Sequence, residues 1–246
     1  MGLGGDARIS RDPEKPGVLI FSHYNEDVGS ANMHNSFNYA KSYPEEYDDQ
    51  VERTAQTIFT SLAPDEDVKD ENIVVVLRPI EYIDHLKSSD IDIFEKPLYG
   101  GLHLFLMADT PHALKGLQKS DVEGRDESEI FELAKKNVQA ELTNLSENNE
   151  LPFTTLYFIE GNTFLTSSLV LFDEFWKVVE NTYPEGVFFA IPRKDQLFVW
   201  DARRPDAEST GWRMIQVTNE DDFNLLSDCL FKRMNGEITE IKRAIL

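Results

Sequence analysis

Val187-Phe-Phe-Ala-Ile191, the polar turn Arg193-Lys-Asp-Gln196 and Leu197-Phe-Val-Trp200 set two short apolar runs back to back. Runs of this length, rich in aromatic and β-branched residues and joined by turn residues, read as the two strands of a hairpin. Upstream, Thr154 to Ile159, the pair Gly161-Asn162 and Thr163 to Leu171 repeat the pattern, and a second hairpin is expected there. Consecutive hairpins exclude a purely parallel, doubly wound sheet. They predict an α+β fold, with helices packed on mainly antiparallel or mixed β-sheets.

The remaining patterns fit around these hairpins. Val18 to Phe21, Ile73 to Leu77 and Leu102 to Ala108 read as strands, and Ile80 to Leu86 as one or two helical turns. After Pro44, the residues Val51, Ala55, Ile58, Phe59 and Leu62 fall at helical spacing. Asp126 with Glu129 forms a capping signal ahead of the stripe Ile130, Leu133, Ala134, Val138, Leu142 and Leu145. Asp173 is expected to cap a short helix carrying Phe175, Trp176, Val178 and Val179. Arg213 to Val217 reads as a last strand, and a helix from about Asp221 to Met234 places Phe223, Leu226, Leu230 and Met234 on one face. The predicted order is strand-helix-strand, then strand-helix-hairpin-helix-hairpin-strand-helix. The expected organisation is a loose Gly- and Pro-containing arm over 1–16, an N-terminal α/β part over 17–95 and a C-terminal α+β part over 96–246.

Composition narrows the function classes. The 246 residues include 45 Asp+Glu against 24 Lys+Arg, a formal net charge of -21. The acids spread along the whole chain as a solvated skin, which repels phosphate backbones and anionic lipid; neither nucleic acid nor membrane is an expected partner. One cysteine, Cys229, permits no internal disulfide and no multi-cysteine zinc cluster. Uncharged stretches such as Pro97 to Ala108 fall well short of a spanning helix. The opening Met1-Gly-Leu-Gly-Gly-Asp6 lacks a basic-then-apolar leader pattern, so a soluble, cytoplasmic protein is expected.

No glycine-rich nucleotide loop, Gly-x-Ser-x-Gly elbow or His-Glu-x-x-His motif occurs. The five histidines, His23, His34, His85, His103 and His112, form no tight ligand pair, and no metal or cofactor is predicted. Two groups of candidate site residues remain. His103, Asp109 and His112 bracket the carboxyl end of one apolar strand, where ligands bind in open sheets. Buried imidazole at His103 and turn chemistry at Asp109-Thr110-Pro111 are the preferred structural readings of the same residues. The second group is a local concentration of cations, Arg193, Lys194, Arg203 and Arg204, able to clamp a carboxylate or phosphate if their loops adjoin. Trp212, in Ser209-Thr-Gly-Trp212, is a candidate aromatic anchor for a partner, whereas Trp176 and Trp200 read as core.

The succession of segments resembles the bacterial family called domain of unknown function 1444 (YtpQ-like proteins). The resemblance is carried by Met33 to Ala40, Val76-Leu-Arg-Pro-Ile-Glu-Tyr-Ile83, Leu102 to Pro111 with Ser120-Asp-Val122, Glu129 to Leu142, and Gly186 to Trp200, covering roughly residues 30–200. It implies a cytoplasmic bacterial α+β protein and assigns no residue a role. The expected function is a non-enzymatic binding or protein-interaction module. The alternative is an enzyme or binder of a small anionic metabolite, using the loop arginines with His103 or His112 and Asp109.

Overall fold

The computed structural model describes residues 7–13, 18–23, 26–32, 41, 44, 48, 68–89, 91–109, 114–151, 153–219 and 225–241. The chain has an α+β fold. Its contacts separate residues 1–66 with 110–113 from residues 67–109 with 114–246. The division falls after Glu66 and not in the polar stretch before residue 96, because strands on either side of that stretch pair over seven residues, from Ile73↔Ala108 to Pro79↔Leu102.

In the first unit, β1 (Ala7–Arg11), β2 (Val18–His23) and β3 (Glu26–Asn32) form an antiparallel sheet in that order. Residues 7–11, expected in a loose arm, are therefore a paired strand. The helix expected over 51–62 lies outside the described residues.

The second unit contains two sheets. In the first, β4 (Ile73–Pro79) lies against β6 (Leu102–Asp109), whose other side pairs with the short β5 (Glu95–Pro97) and β7 (Leu114–Gly116). Helix α1 (Ile80–Ser88) follows β4 directly, and α2 (Glu127–Ala140) packs on it. Asp126 caps α2 as its sequence predicts, accepting from the backbone N–H groups of Ser128 and Glu129 at 2.8 and 3.2 Å. The second sheet has six strands: β8 (Leu145–Asn148), β9 (Thr155–Ile159), β10 (Val187–Arg193), β11 (Gln196–Asp201), β12 (Leu230–Met234) and β13 (Glu237–Ile241). Their spatial order is β13-β12-β10-β11-β9-β8, with every pairing antiparallel.

Three expectations fail, each for a physical reason. Thr163–Leu171 is a buried 3-10 helix, not the return strand of a hairpin. Its polar centre bonds outward to three other elements: the Thr166 hydroxyl accepts from Ile159 N at 3.2 Å, Ser167 N donates to Lys194 O at 3.0 Å, and the Ser168 hydroxyl donates to Val75 O at 2.9 Å. Arg213 to Val217 belongs to helix α4 (Ala207–Asn219). The spacing of four between Ala207, Gly211 and Ile215 puts these buried residues on one helical face, a longer-range pattern than the short apolar run that suggested a strand. The C-terminal helix is replaced by the β12–β13 hairpin, and Cys229 precedes β12 in a loop. Asn235 (φ 54°) and Gly236 (φ 82°) make the two-residue turn; both take left-handed backbone, which Asn and Gly tolerate best. Helix α3 (Asp173–Thr182) forms where expected, but Phe172 occupies the cap position and Asp173 is the first helical residue.

Side chains close the open edge of β4. The carbonyls of Ile73, Val75 and Leu77 face away from β6 and accept from Asn137 Nδ2 (2.8 Å), Ser168 Oγ (2.9 Å) and Arg78 Nη1 (2.8 Å). The central strands β10 and β11 are buried on both faces, which explains their unbroken apolar runs. Phe189, Val199 and Phe231 face the main core, and Phe188, Phe198, Trp200 and Leu230 face α4. Trp176 and Trp200 are core residues, as expected. Gly211 allows this approach: a Cβ there would lie 2.4 Å from Trp200 and 2.7 Å from Leu230.

Ser168→Ala leaves the Val75 carbonyl buried without its donor and is expected to cost about 1–3 kcal/mol. Gly211→Ala, which overpacks the α4 contact, is expected to cost about 1–3 kcal/mol. Urea unfolding of each variant against the parent checks both values; a change in midpoint below a few tenths of a molar would refute the packing described here.

Candidate functional site

The described members of the two candidate groups singled out in the sequence do not come together into sites. His103 lies near the start of β6 with its side chain mostly buried. Its Nδ1 is 2.5 Å from Glu95 Oε2, and the other oxygen of Glu95 accepts from Lys87 at 2.6 Å. Asp109 is six residues further along the same strand, roughly 20 Å away at the rise of an extended chain. Burial, reinforced by Glu141, raises the Asp109 carboxyl above its ordinary pKa. His112 lies outside the described residues. His103 is thus the hydrogen-bonded strand imidazole of the structural reading, and it shares no site with Asp109.

The cations divide between the two ends of the β10–β11 hairpin. Arg193 and Lys194 are at its turn, whereas Arg203 and Arg204 follow β11, whose length of roughly 17 Å intervenes. Arg193 faces Asp195 at 3.7 Å. Arg203 grips Asp201 through Nε and Nη2, at 3.1 and 2.7 Å, and the hydrogen bonds hold the Asp201 carboxyl below its ordinary pKa despite some desolvation. Arg204 Nη2 donates to Asp206 at 2.8 Å. The two loops do not adjoin, so the clamp that adjoining loops would allow does not form. Trp212 sits on α4, half-buried against Trp200 and its neighbours, and is not an exposed loop anchor.

A different arrangement involves one of these arginines. Between β8 and β9 the chain makes a loop tied by its own hydrogen bonds: Glu150 N to Asn148 Oδ1 (2.8 Å), Asn149 Nδ2 to Glu147 Oε1 (3.0 Å), and Thr155 Oγ1 to Asn149 Oδ1 (2.7 Å). This loop presents Phe153 at φ 65°, a backbone region that a bulky residue occupies only under strain. Phe153 is 68 % exposed. The Arg204 guanidinium lies over it, 3.8 Å from the ring centroid. Together with Asn149, Leu151, Tyr183 and Asp201, the pair lines a pocket of about 390 Å3.

Tyr183 also borders a second pocket of about 300 Å3, which includes Glu180, Gly186, Arg233 and Met234. Here Arg233 stacks over Trp176 and donates to Glu180 (3.1 Å) and the Gly236 carbonyl (3.0 Å), fixing the β12–β13 turn beside α3. The two pockets make one face across the end of the six-stranded sheet, with Leu151, Phe153 and Met234 as its exposed apolar groups.

Compared with known proteins, the chain matches no family model, no curated protein and no solved structure at a significant level. The chemistry therefore has to be read from the residues. Among the described residues, no group of three or more His, Cys, Asp or Glu is placed to hold a metal ion. None of the described helices is long and apolar enough to cross a membrane. Burial pushes the Cys229 thiol up to about 11, the opposite of an activated nucleophile. The sheet-end face offers an aromatic ring, aliphatic side chains and paired charges, which suit recognition better than proton transfer.

Phe153 escaped the sequence reading because Leu151-Pro-Phe153 precedes a strand and resembles the start of a buried run. Arg204 was identified, but as part of a clamp. Its nearby partner was visible two residues on, at Asp206.

The Glu95 bridge makes a pH prediction. Burial acts to raise its pKa, but hydrogen bonds and charge from Lys87 and His103 prevail and leave it lowered. A carboxyl lowered in the folded state stabilises the fold above its unfolded pKa and loses that contribution as pH falls through the folded pKa. Glu95→Gln is therefore expected to be less stable than the parent at neutral pH, with the gap closing in acid. Urea titrations at stepped pH check this; a gap that persists unchanged to about pH 2 would remove the ionic contribution.

Proposed function

We propose that the chain is a non-enzymatic binding module of the bacterial cytoplasm that engages a protein partner through the sheet-end face. The observation that carries this reading is Phe153, held exposed at φ 65° by a hydrogen-bonded loop and stacked under Arg204. Aromatic and arginine side chains supply a large share of interface hot spots, and an ordered aromatic loses little conformational freedom on docking. An unfavourable backbone angle at an exposed ring has no benefit for packing, so it fits a role in presenting the ring.

The arginine pairings weigh against the small-anion alternative. Arg203 and Arg204 each face a carboxylate two residues away, so an incoming anion has to displace one. The resemblance to the domain of unknown function 1444 family is compatible with the proposal and adds no residue to the face.

Phe153→Asn separates binding from folding, since Asn accepts the left-handed angle more readily than Phe. Its melting temperature is expected to match or exceed that of the parent. Affinity capture from a bacterial lysate should recover proteins with the parent that are depleted with Phe153→Asn and Arg204→Ala. Equal recovery with all three proteins would refute the face as the binding surface. A thermal shift with sugar phosphates or organic acids that disappears in Arg203→Ala would instead support the small-anion reading.

A further inference from the structure

The charges around the sheet-end face point to the chemistry of its partner, on the reading that this face is the binding surface. Leu151 and Phe153 at one pocket and Met234 at the other are its exposed apolar side chains. Three arginines belong to the face, and each is paired with a carboxylate: Arg203 with Asp201, Arg204 with Asp206, and Arg233 with Glu180. Those pairs cancel. Glu147, Glu150 and Glu185 are exposed beside residues that line the pockets: Glu147 accepts from Asn149, Glu150 lies between Asn149 and Leu151, and Glu185 lies between Pro184 and Gly186, close enough to Arg203 to reinforce its charge. The uncancelled charge of the face is negative, in a chain whose net charge is -21.

We infer that this face takes a basic segment of a protein partner. An aliphatic or aromatic side chain of that segment rests on Phe153 and enters the pocket of about 390 Å3, while its Lys or Arg side chains meet Glu147, Glu150 and Glu185. The division of labour is that of ordinary interfaces: the apolar side chains supply affinity, and the charged rim steers the encounter and rejects acidic competitors. The same sign that disfavours phosphate backbones and anionic lipid favours a cationic peptide.

Selection of the full chain against an unbiased display library of short random peptides tests this directly. Enriched peptides are expected to be net positive and to carry at least one large apolar residue. Their affinity is expected to fall about tenfold or more for Phe153→Asn, as loss of an interface anchor requires. Raising salt from about 0.1 to about 0.5 M should also weaken them, through screening of the rim. Val217→Ser, on α4 and outside both pockets, should bind like the parent. Neutral or acidic peptides that are lost on Phe153→Asn would overturn the basic partner while sparing the face. Peptides retained by Phe153→Asn, or no enrichment at all, would overturn both.

Discussion

Thr166, Ser167 and Ser168 are fully buried in the middle of the second unit, and the arrangement of its sheets depends on how they are satisfied. A buried hydroxyl or amide without a partner costs more than a typical hydrogen bond contributes, and neighbours meet most of this run, the Ser167 hydroxyl alone lacking a partner among its three side chains. Here Thr166 serves β9, Ser168 serves β4, and the Ser167 backbone reaches the turn of the β10–β11 hairpin. One short 3-10 segment thereby links both sheets. It also resolves a problem at β4, an apolar strand at the edge of its sheet. Asn137 and Arg78 complete the closure, so the core includes a sheet edge with its outward carbonyls bonded.

Features governed by local chemistry were legible in the sequence. The Asp126 cap, the α2 stripe from Ile130 to Val138, the β10–β11 hairpin, and the strands at Ile73 and Leu102 all follow from spacing and turn residues. Leu142 and Leu145, expected on the same helix, fall instead in a 3-10 turn and at the start of β8. The failures come where distant partners decide. Thr163 to Leu171 is apolar enough for a strand, and only Val75, Ile159 and Lys194, remote or on other elements, explain why it coils. Arg213 to Val217 is apolar enough for a short strand, but Gly211 approaches Trp200 closely in a helix that continues through it. At the C-terminus a local signal was present and outweighed: Asn235-Gly236 is a strong hairpin turn, whereas the stripe from Phe223 to Met234 suggested a helix.

The candidate site was partly legible for the same reason. Arg204 was identifiable as a cation in an acidic chain, and Asp201-Ala-Arg-Arg-Pro-Asp206 already placed a carboxylate two residues from each arginine. Local pairing of that kind neutralises a clamp before any tertiary contact is considered. Exposure of Phe153 is a tertiary outcome, produced by a loop that bonds to itself and leaves the ring outside the core. Separation of His103 from Asp109 follows from strand geometry, since six residues of extended chain span far more than a catalytic contact.

The closure of β4 also bears on the order in which the molecule assembles. Ser168 and Val75 are 93 residues apart in sequence, and Asn137 and Ile73 are 64 apart. Contacts across such separations require long loops to close first, and the chain entropy lost adds to the folding barrier. The β10–β11 and β12–β13 hairpins need no such closure and can form on the microsecond scale of local turns. Until the serine arrives, β4 presents an apolar strand with unpaired carbonyls, the kind of edge that recruits another chain. The interval between hairpin formation and edge closure is therefore when a nascent chain is most exposed to self-association, and Ser168 helps end it.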